Sequence, residues 1–508
     1  MTWSYRPDAD PTTPNVITSI IGGLIPTINR GWRGPYPMGP LWTNATAGCD
    51  GYNGSFLAIN TGGTARVFFG ANDTTGRIYE ATGSATRTDR SRGGNYTASA
   101  FFSFCQLGDT TIAANKSDAL QSSTTGAFAD VTGSPPKAKL CVADANQVVL
   151  LNYNDGTDTP DGWWCSDVGS TTSWTPPSAA SPSAVEARNG RLRDTGGAIT
   201  AACNAPFGGV MAFKKSSFYV GSYTGQPLVR SWRKVSDKIG CRWSEACVNV
   251  GDRVYFVGDD VYEFDGSKPV SITEGIFNFM RVFLENRVAL QYDYQNDILY
   301  LYYGDNYTTG FVGCFAYHAR TREWGLSSIL RAPVIVGGYY PCGVLNGTKN
   351  ELGLVFSGAA SAAAAASNYV WGSASNSVLT TEALGCYGLT SKTIPTDAAL
   401  DISWTLSYQG DYSKMSTVQR VTPNIKNASS VAAVSNPTGY ALAIVSSRYT
   451  PYGYATAGVT SVMNIHYRFD ILANGHWHKA TYNVDVSAAS GNFEWFDQSV
   501  EYVQAGKA

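Results

Sequence analysis

The chain has 508 residues, 44% of them hydrophobic and only 15% charged, with a formal net charge of −2. That length supports two or three hydrophobic cores, and the near-neutral balance excludes the global basic footprint of a protein that coats nucleic acid. Fifty-three Gly, 22 Pro, 30 Tyr and 13 Trp favour an all-β chain, because Gly and Pro supply turns and aromatic side chains suit a pleated, half-buried surface.

No amphipathic stretch exceeds about four helical turns, which weighs against α/β classes. Met1 to Pro14 is polar, and the apolar run Val16 to Leu24 is short and lacks a basic segment before it, so no secretory signal is expected. No run reaches membrane-spanning length, so membrane insertion is not expected either. The ten cysteines show no C-x-x-C spacing and read as reduced core residues.

In chain order, residues 1–45 carry Pro7, Pro11, Pro14, Pro26, Pro35, Pro37 and Pro40. Proline removes a ladder donor, so this stretch reads as an extended N-terminal arm rather than sheet. From about residue 46 to 377, short strand signals recur at roughly 40–45 residues, the period of propeller blades. The clearest unit spans 207–272. Gly209 to Phe213 and Ser217 to Val220 form a hairpin around Lys214-Lys215-Ser216. Then Arg253 to Val257 and Val261 to Phe264 flank Gly258-Asp259-Asp260. Further units start near Ser55, Phe101, Ala138, Ala289 and Val334, which makes six or seven blades. A four-stranded blade cannot bury both faces alone, so blades stack around an axis.

Thr273 to Ala289 is the best helix candidate, with Thr273 and Glu274 placed as cap and first-turn charge. The alanine-rich run Ser357 to Asn368 reads as an exposed loop or one short helix. After residue 378 the strands lengthen, with clear alternation from Asn464 to Ile471. Residues 378–508 therefore read as a C-terminal antiparallel, sandwich-like region that could help close the propeller. The fold class expected is all-β: a divergent β-propeller with this additional region.

Four constellations could carry chemistry. Ser166 to Trp174 (SDVGSTTSW) has the form of a degenerate Asp-box, in which the carboxylate satisfies turn amides and the Trp packs beneath the blade. His476 and His478 share a strand face, but zinc needs a third ligand, and surface histidines beside the Asn474-Gly475 turn are the plainer reading. Asp259, Asp260 and Asp265 could do acid–base work or bind calcium, yet Asp-Gly and Gly-Asp are also common turn chemistry. Lys214, Lys215, Arg230, Arg233, Lys234 and Lys238, with Tyr223 and Trp232 interleaved, are the densest basic region, and a solvated face or interface is favoured for them. No catalytic, cofactor-binding or metal-binding residue is assigned.

With these residues in view, a resemblance can be stated. Asp161 to Pro176 (DGWWCSDVGSTTSWTP), Ala198 to Pro227, and Ile239 to Ile272 resemble the β-propeller tail hub or nozzle proteins of short-tailed bacteriophages, also described as packaged-DNA stabilisation proteins. His466 to Val486 is similar to that family's closing strands, and Tyr5 to Val16 to its start. The chain departs from the family's pattern at Cys165 and at Asp259-Asp260, where Asp-Gly is commoner. The resemblance implies a virion tail protein assembled in the host cytoplasm. It implies a ring of copies, usually six, that binds the portal adaptor. Tail fibres or spikes would be further partners. Double-stranded DNA would pass through transiently, held until ejection, and no cofactor or enzymatic activity is implied. Little charge and many Tyr and Trp are consistent with an interface-rich conduit that must not grip phosphates. The alternatives are a propeller that binds a glycan or receptor, or a glycoside hydrolase of the tail.

Overall fold

The computed structural model describes residues 3–34, 38–43, 51–72, 75–82, 86–97, 101–178, 184–304, 311–326, 339–346, 349–356, 383–387, 401–410, 414–427, 440–447, 458–464, 466–485 and 493–507. The alanine-rich run Ser357 to Asn368 and the strand expected at Tyr369 to Trp371 lie outside these residues.

Five separate sheets of four antiparallel strands come first, at residues 51–89, 103–130, 137–191, 199–236 and 247–271. An eight-stranded sheet supplies two more quartets, one at 288–326 and one made of 339–346, 349–356, 383–387 and 38–43, joined by the single pair Phe311–Tyr339. Within each of the first six quartets the strands follow one another in sequence, so each is a meander built by local hairpins. The first strands of the quartets are neighbours in a closed circuit. Gly51–Ile59 meets Ser103–Leu107, then Lys137–Asp144, Ile199–Asn204, Cys247–Asn249, Val288–Asp293 and Tyr339–Asn346. The last of these returns to Gly51–Ile59. This is a seven-bladed β-propeller, with the first strand of each blade lining the axis.

Packing explains the sequence texture. The second strand of a blade is covered on both faces by neighbouring blades, so Val148 to Tyr153, Val210 to Lys214 and Val254 to Val257 are buried without interruption. Aromatic rings fill the seams: Trp163 lies 5.8 Å from Trp232, and Phe213 lies 4.9 Å from Phe256. Where blades approach most closely only glycine fits. A Cβ on Gly240 would meet the Lys214 carbonyl oxygen at 2.1 Å, and one on Gly258 would meet the Gly240 carbonyl oxygen at 2.4 Å.

Among the first 45 residues, the described segments 3–34 and 38–43 are not an arm outside the sheets but supply strands to them. Met38–Thr43 pairs antiparallel with Ala383–Tyr387 as the outermost strand of the seventh blade, so strands from distant parts of the chain close the ring. Ser4–Tyr5 and Val16–Ile21 join one sheet of a sandwich through Asp401–Leu406. Ile25–Pro26 and Trp32–Arg33 join the other through Phe493–Lys507. Proline is tolerated in these strands for a positional reason. Pro26 and Pro40 sit on edge strands, where the missing donor has no ladder to break.

The sandwich has one sheet ordered Ser4–Tyr5, Val16–Ile21, Asp401–Leu406, Trp477–Asp485, Tyr440–Ser447, Val459–Val462. The other is ordered Ile25–Pro26, Trp32–Arg33, Phe493–Lys507, Lys414–Asn427, Phe469–Gly475. Trp404 anchors its interior, stacked on Tyr482 at 5.1 Å and on Phe493 at 5.7 Å. The alternation from Asn464 to Ile471 is not one strand. Asn464 Oδ1 accepts the His466 amide, Tyr467 has φ 57°, and the strand starts at Phe469.

One apolar core runs from the fourth to sixth blades into the sandwich, including Phe213, Tyr255, Tyr317, Trp324, Trp3 and Trp495. The helix Phe277–Leu284 lies at this joint. It is shorter than expected, and Thr273 does not cap it, because the Thr273 hydroxyl bonds Asp260 Oδ1 at 2.5 Å. Asp8 does the capping from the N-terminal segment, its two carboxylate oxygens accepting the Asn278 and Phe279 amides at 2.6 and 3.0 Å.

Candidate functional site

The axial channel is the natural place to look for function in a propeller. Residues of the first strands of six blades enclose a cavity of about 630 Å³, among them Phe104, Cys105, Cys203, Cys247 and Gln291. Four consecutive blades place a cysteine on the innermost strand: Cys105, Cys141, Cys203 and Cys247. The thiols of Cys105 and Cys247 are pushed well up. For Cys105 the causes are a hydrogen bond with Cys141 and burial; for Cys247 the first cause is a hydrogen bond with Cys203. All seven described cysteines are free, and a thiol held protonated is a poor nucleophile.

The strand ends at the channel rim are polar for a structural reason. A side chain at or next to the end of an inner strand reaches the preceding blade. Gln106 donates to the Ile59 carbonyl at 2.6 Å and accepts the Ile59 amide at 3.0 Å. Asn204 donates to the Ala143 carbonyl at 2.8 Å, and Asn249 to the Asn204 carbonyl at 2.8 Å. Tyr294 donates to the Asn249 carbonyl at 3.0 Å. Each bond satisfies a carbonyl at the seam that no ladder partner reaches. The channel carboxylate Glu245 is engaged by Arg287 at 2.5 Å.

The constellations singled out in the sequence are resolved in similar terms. Asp167 Oδ1 accepts the Val168 and Glu186 amides at 3.0 and 2.7 Å. Trp174 is buried, and its indole donates to the Thr171 carbonyl at 2.9 Å. Asp260 accepts the Val261 amide at 2.7 Å and the Ser271 hydroxyl at 2.6 Å. Asp259 accepts the Tyr262 hydroxyl at 2.9 Å, and Asp265 accepts the Ser267 amide at 2.9 Å. These carboxylates serve turns, and they do not converge on one point.

The basic region is divided. Lys214 is buried inside its strand, its ammonium donating to the Leu192 and Thr195 carbonyls at 2.6 Å each. Arg230 is also buried and pairs with Asp144 at 2.9 Å. Lys215, Arg233, Lys234 and Lys238 are exposed. Sequence spacing cannot separate these two groups, because burial depends on which blade lies alongside.

Neither histidine is exposed: His476 is buried and His478 half-buried. The turn expected at Asn474-Gly475 is a corner where the chain leaves one sheet of the sandwich, in Phe469–Gly475, and enters the other, in Trp477–Asp485. His476 is buried there. His478 bridges the sheets, with Nε2 2.9 Å from Ser416 Oγ and Nδ1 2.8 Å from Ser446 Oγ. Burial holds its pKa below the ordinary value. Among the described residues, no group of three or more His, Cys, Asp or Glu side chains is placed to hold a metal ion.

No protein-family model and no curated protein matches the chain. Among solved structures it is similar to one described as "YCF48 bound to D1 peptide", with 10% identity, a TM-score of 0.41, and coverage of 72% of this chain and 99% of that one.

Proposed function

We propose that this chain is a structural protein of a short phage tail, the nozzle or hub that binds the portal adaptor as a ring of copies and helps hold the genome until release. The observation that carries the reading is the continuous core between propeller and sandwich, pinned by the N-terminal strands and by Asp8 on the helix. Such a joint gives a stiff block, as a conduit under load requires. The conduit in this reading is the axis of the ring of copies. The edge strands Val459–Val462 and Phe469–Gly475 expose Val459, Val462 and Leu472, which suits contacts between copies. No bond is made or broken in this role.

The test is to express the chain alone and together with the portal and adaptor proteins of the same virus, and to image the products by electron cryomicroscopy. A closed ring seated on the adaptor is expected. A chain that stays monomeric and never joins the adaptor would sink the proposal.

A further inference from the structure

Among the described residues, the sandwich is open at one end. There the two sheets part to form a cavity of about 500 Å³, within the range of about 300–1,000 Å³ typical of small-ligand sites. Its wall has two chemical characters. Leu406, Val418, Val421, Ile444 and Val500 give an apolar floor continuous with the sandwich core. Around that floor stand Ser407, His478, Gln498 and Gln504, with Tyr502 at the mouth.

Three observations point to a ligand. First, Ser407 is 1% exposed, and its hydroxyl has no hydrogen-bond partner. A buried hydroxyl left unpaired costs about 1–3 kcal/mol, and this one belongs to the wall of a cavity where a ligand could pair it. Secondly, Tyr502 is 67% exposed although Val418, opposite it in the antiparallel register, is buried. The strand Phe493–Lys507 therefore carries an aromatic face beyond the packed core to the cavity mouth. Thirdly, the His478 ring is held by a serine from each sheet, Ser416 and Ser446, so its orientation is set before anything binds.

The chemistry of the wall selects the class of ligand. No carboxylate is among the described lining residues, and Lys414 is the one cationic lysine or arginine there. Hydroxyls and amides over an apolar floor match a molecule with hydroxyls around its edge and C–H groups on its face. An exposed tyrosine at the mouth can lie against that face. Without two facing carboxylates, the wall binds such a molecule and has no means to cleave its glycosidic bond.

We infer that the open end of the sandwich is a binding site for one neutral pyranose unit, with Ser407 as a buried hydrogen-bonding anchor and Tyr502 as the stacking surface. This site is separate from the propeller channel and does not depend on the ring proposed above.

The experiment is saturation-transfer NMR on the full chain with D-glucose, D-galactose, N-acetyl-D-glucosamine and L-rhamnose in turn. Inorganic phosphate is the competitor. At least one sugar is expected to receive saturation on its ring protons, with no competition from phosphate. Ser407→Ala and Tyr502→Ala should each weaken that binding roughly tenfold. Ser407→Ala removes an unpaired buried group, so the melting temperature should hold or rise and loss of folding will not obscure the result. No transfer to any of the four sugars would overturn the inference. So would transfer that neither variant changes, or displacement by phosphate that Lys414→Met abolishes.

Discussion

Arg230, on the fourth blade, pairs with Asp144, at the end of the third blade's inner strand, at 2.9 Å, with the arginine side chain wholly buried. A second guanidinium nitrogen of Arg230 reaches the Asp144 carbonyl at 3.1 Å, and Asp144 also accepts the Gly209 amide at 2.9 Å. One ion pair thus ties together a seam that hairpins within each blade cannot reach. Arg230→Met should strand the Asp144 carboxylate and destabilise the chain by about 3–5 kcal/mol. Arg230→Met with Asp144→Leu should recover much of the loss. Thermal and urea unfolding of the single and double variants measure both effects, and equal losses in the two would argue against the pairing.

Removing residues 1–33 should prevent folding. Trp3, Tyr5, Ile17, Leu24, Ile25 and Trp32 are all buried. At about 1.5–3 kcal/mol per side chain, their combined loss is comparable to a net stability of about 5–15 kcal/mol. An arm lying outside the sheets would predict a soluble, folded truncation. Circular dichroism and size-exclusion chromatography of the truncated chain separate the two outcomes.

Asp8 holds the helix Phe277–Leu284 from the far end of the chain. Asp8→Ala should cost about 0.5–2 kcal/mol, the range for losing an N-cap. Hydrogen exchange should quicken at the Asn278 and Phe279 amides and leave the blades at 103–191 unchanged. Exchange that is unaltered at those two amides would remove Asp8 from this role.

The Asp-box turn makes a graded prediction. Asp167→Ala loses two amide contacts and should cost about 1–3 kcal/mol. Trp174→Ala empties a site that is 1% exposed and should cost about 3–5 kcal/mol. Neither substitution should alter the sugar binding inferred for the sandwich. Denaturation midpoints give the order, and a larger effect from the aspartate would contradict it.

Burial lowers the pKa of His478 and of His318 below the ordinary 6.5. As pH falls through 6.5 the unfolded chain therefore takes up protons first. Stability from these groups is complete above that value and is lost as pH falls towards their folded pKa. Glu323 acts in the opposite sense, because burial raises it above 4.5, and its contribution is lost as pH rises through its folded pKa. Melting temperature should fall between about pH 7 and pH 5, and the fall should be shallower in His478→Gln. An identical slope in that variant would mean that His478 does not drive the acid loss.

The hairpins were legible because their cause is local. Gly251-Asp252 and Asp259-Asp260 turn the chain between apolar runs, and the pairs Asn249–Val254 and Val257–Val261 follow directly. The corner at His476 was not legible, because Asn474-Gly475 is sound turn chemistry wherever it occurs. Only the packing of two sheets makes it a crossing between them. The roles of Lys214 and Thr273 were hidden for the same reason, since their partners Leu192, Thr195 and Asp260 come from other turns of the chain.

The amino-acid order alone determined the strand class and the structural role of the Asp-box, since each rests largely on contacts between residues near in sequence; the even blade period did not hold, because successive inner strands start 34 to 62 residues apart and residues 207–272 belong to two blades. Tertiary structure alone decided that Met38–Thr43 closes the seventh blade against Ala383–Tyr387, that Trp32 pairs with Trp495, and that Ser407 sits unpaired in the wall of a cavity. Those pairings span hundreds of residues. A strand's own pattern states which face it must bury and leaves open which distant strand will cover it.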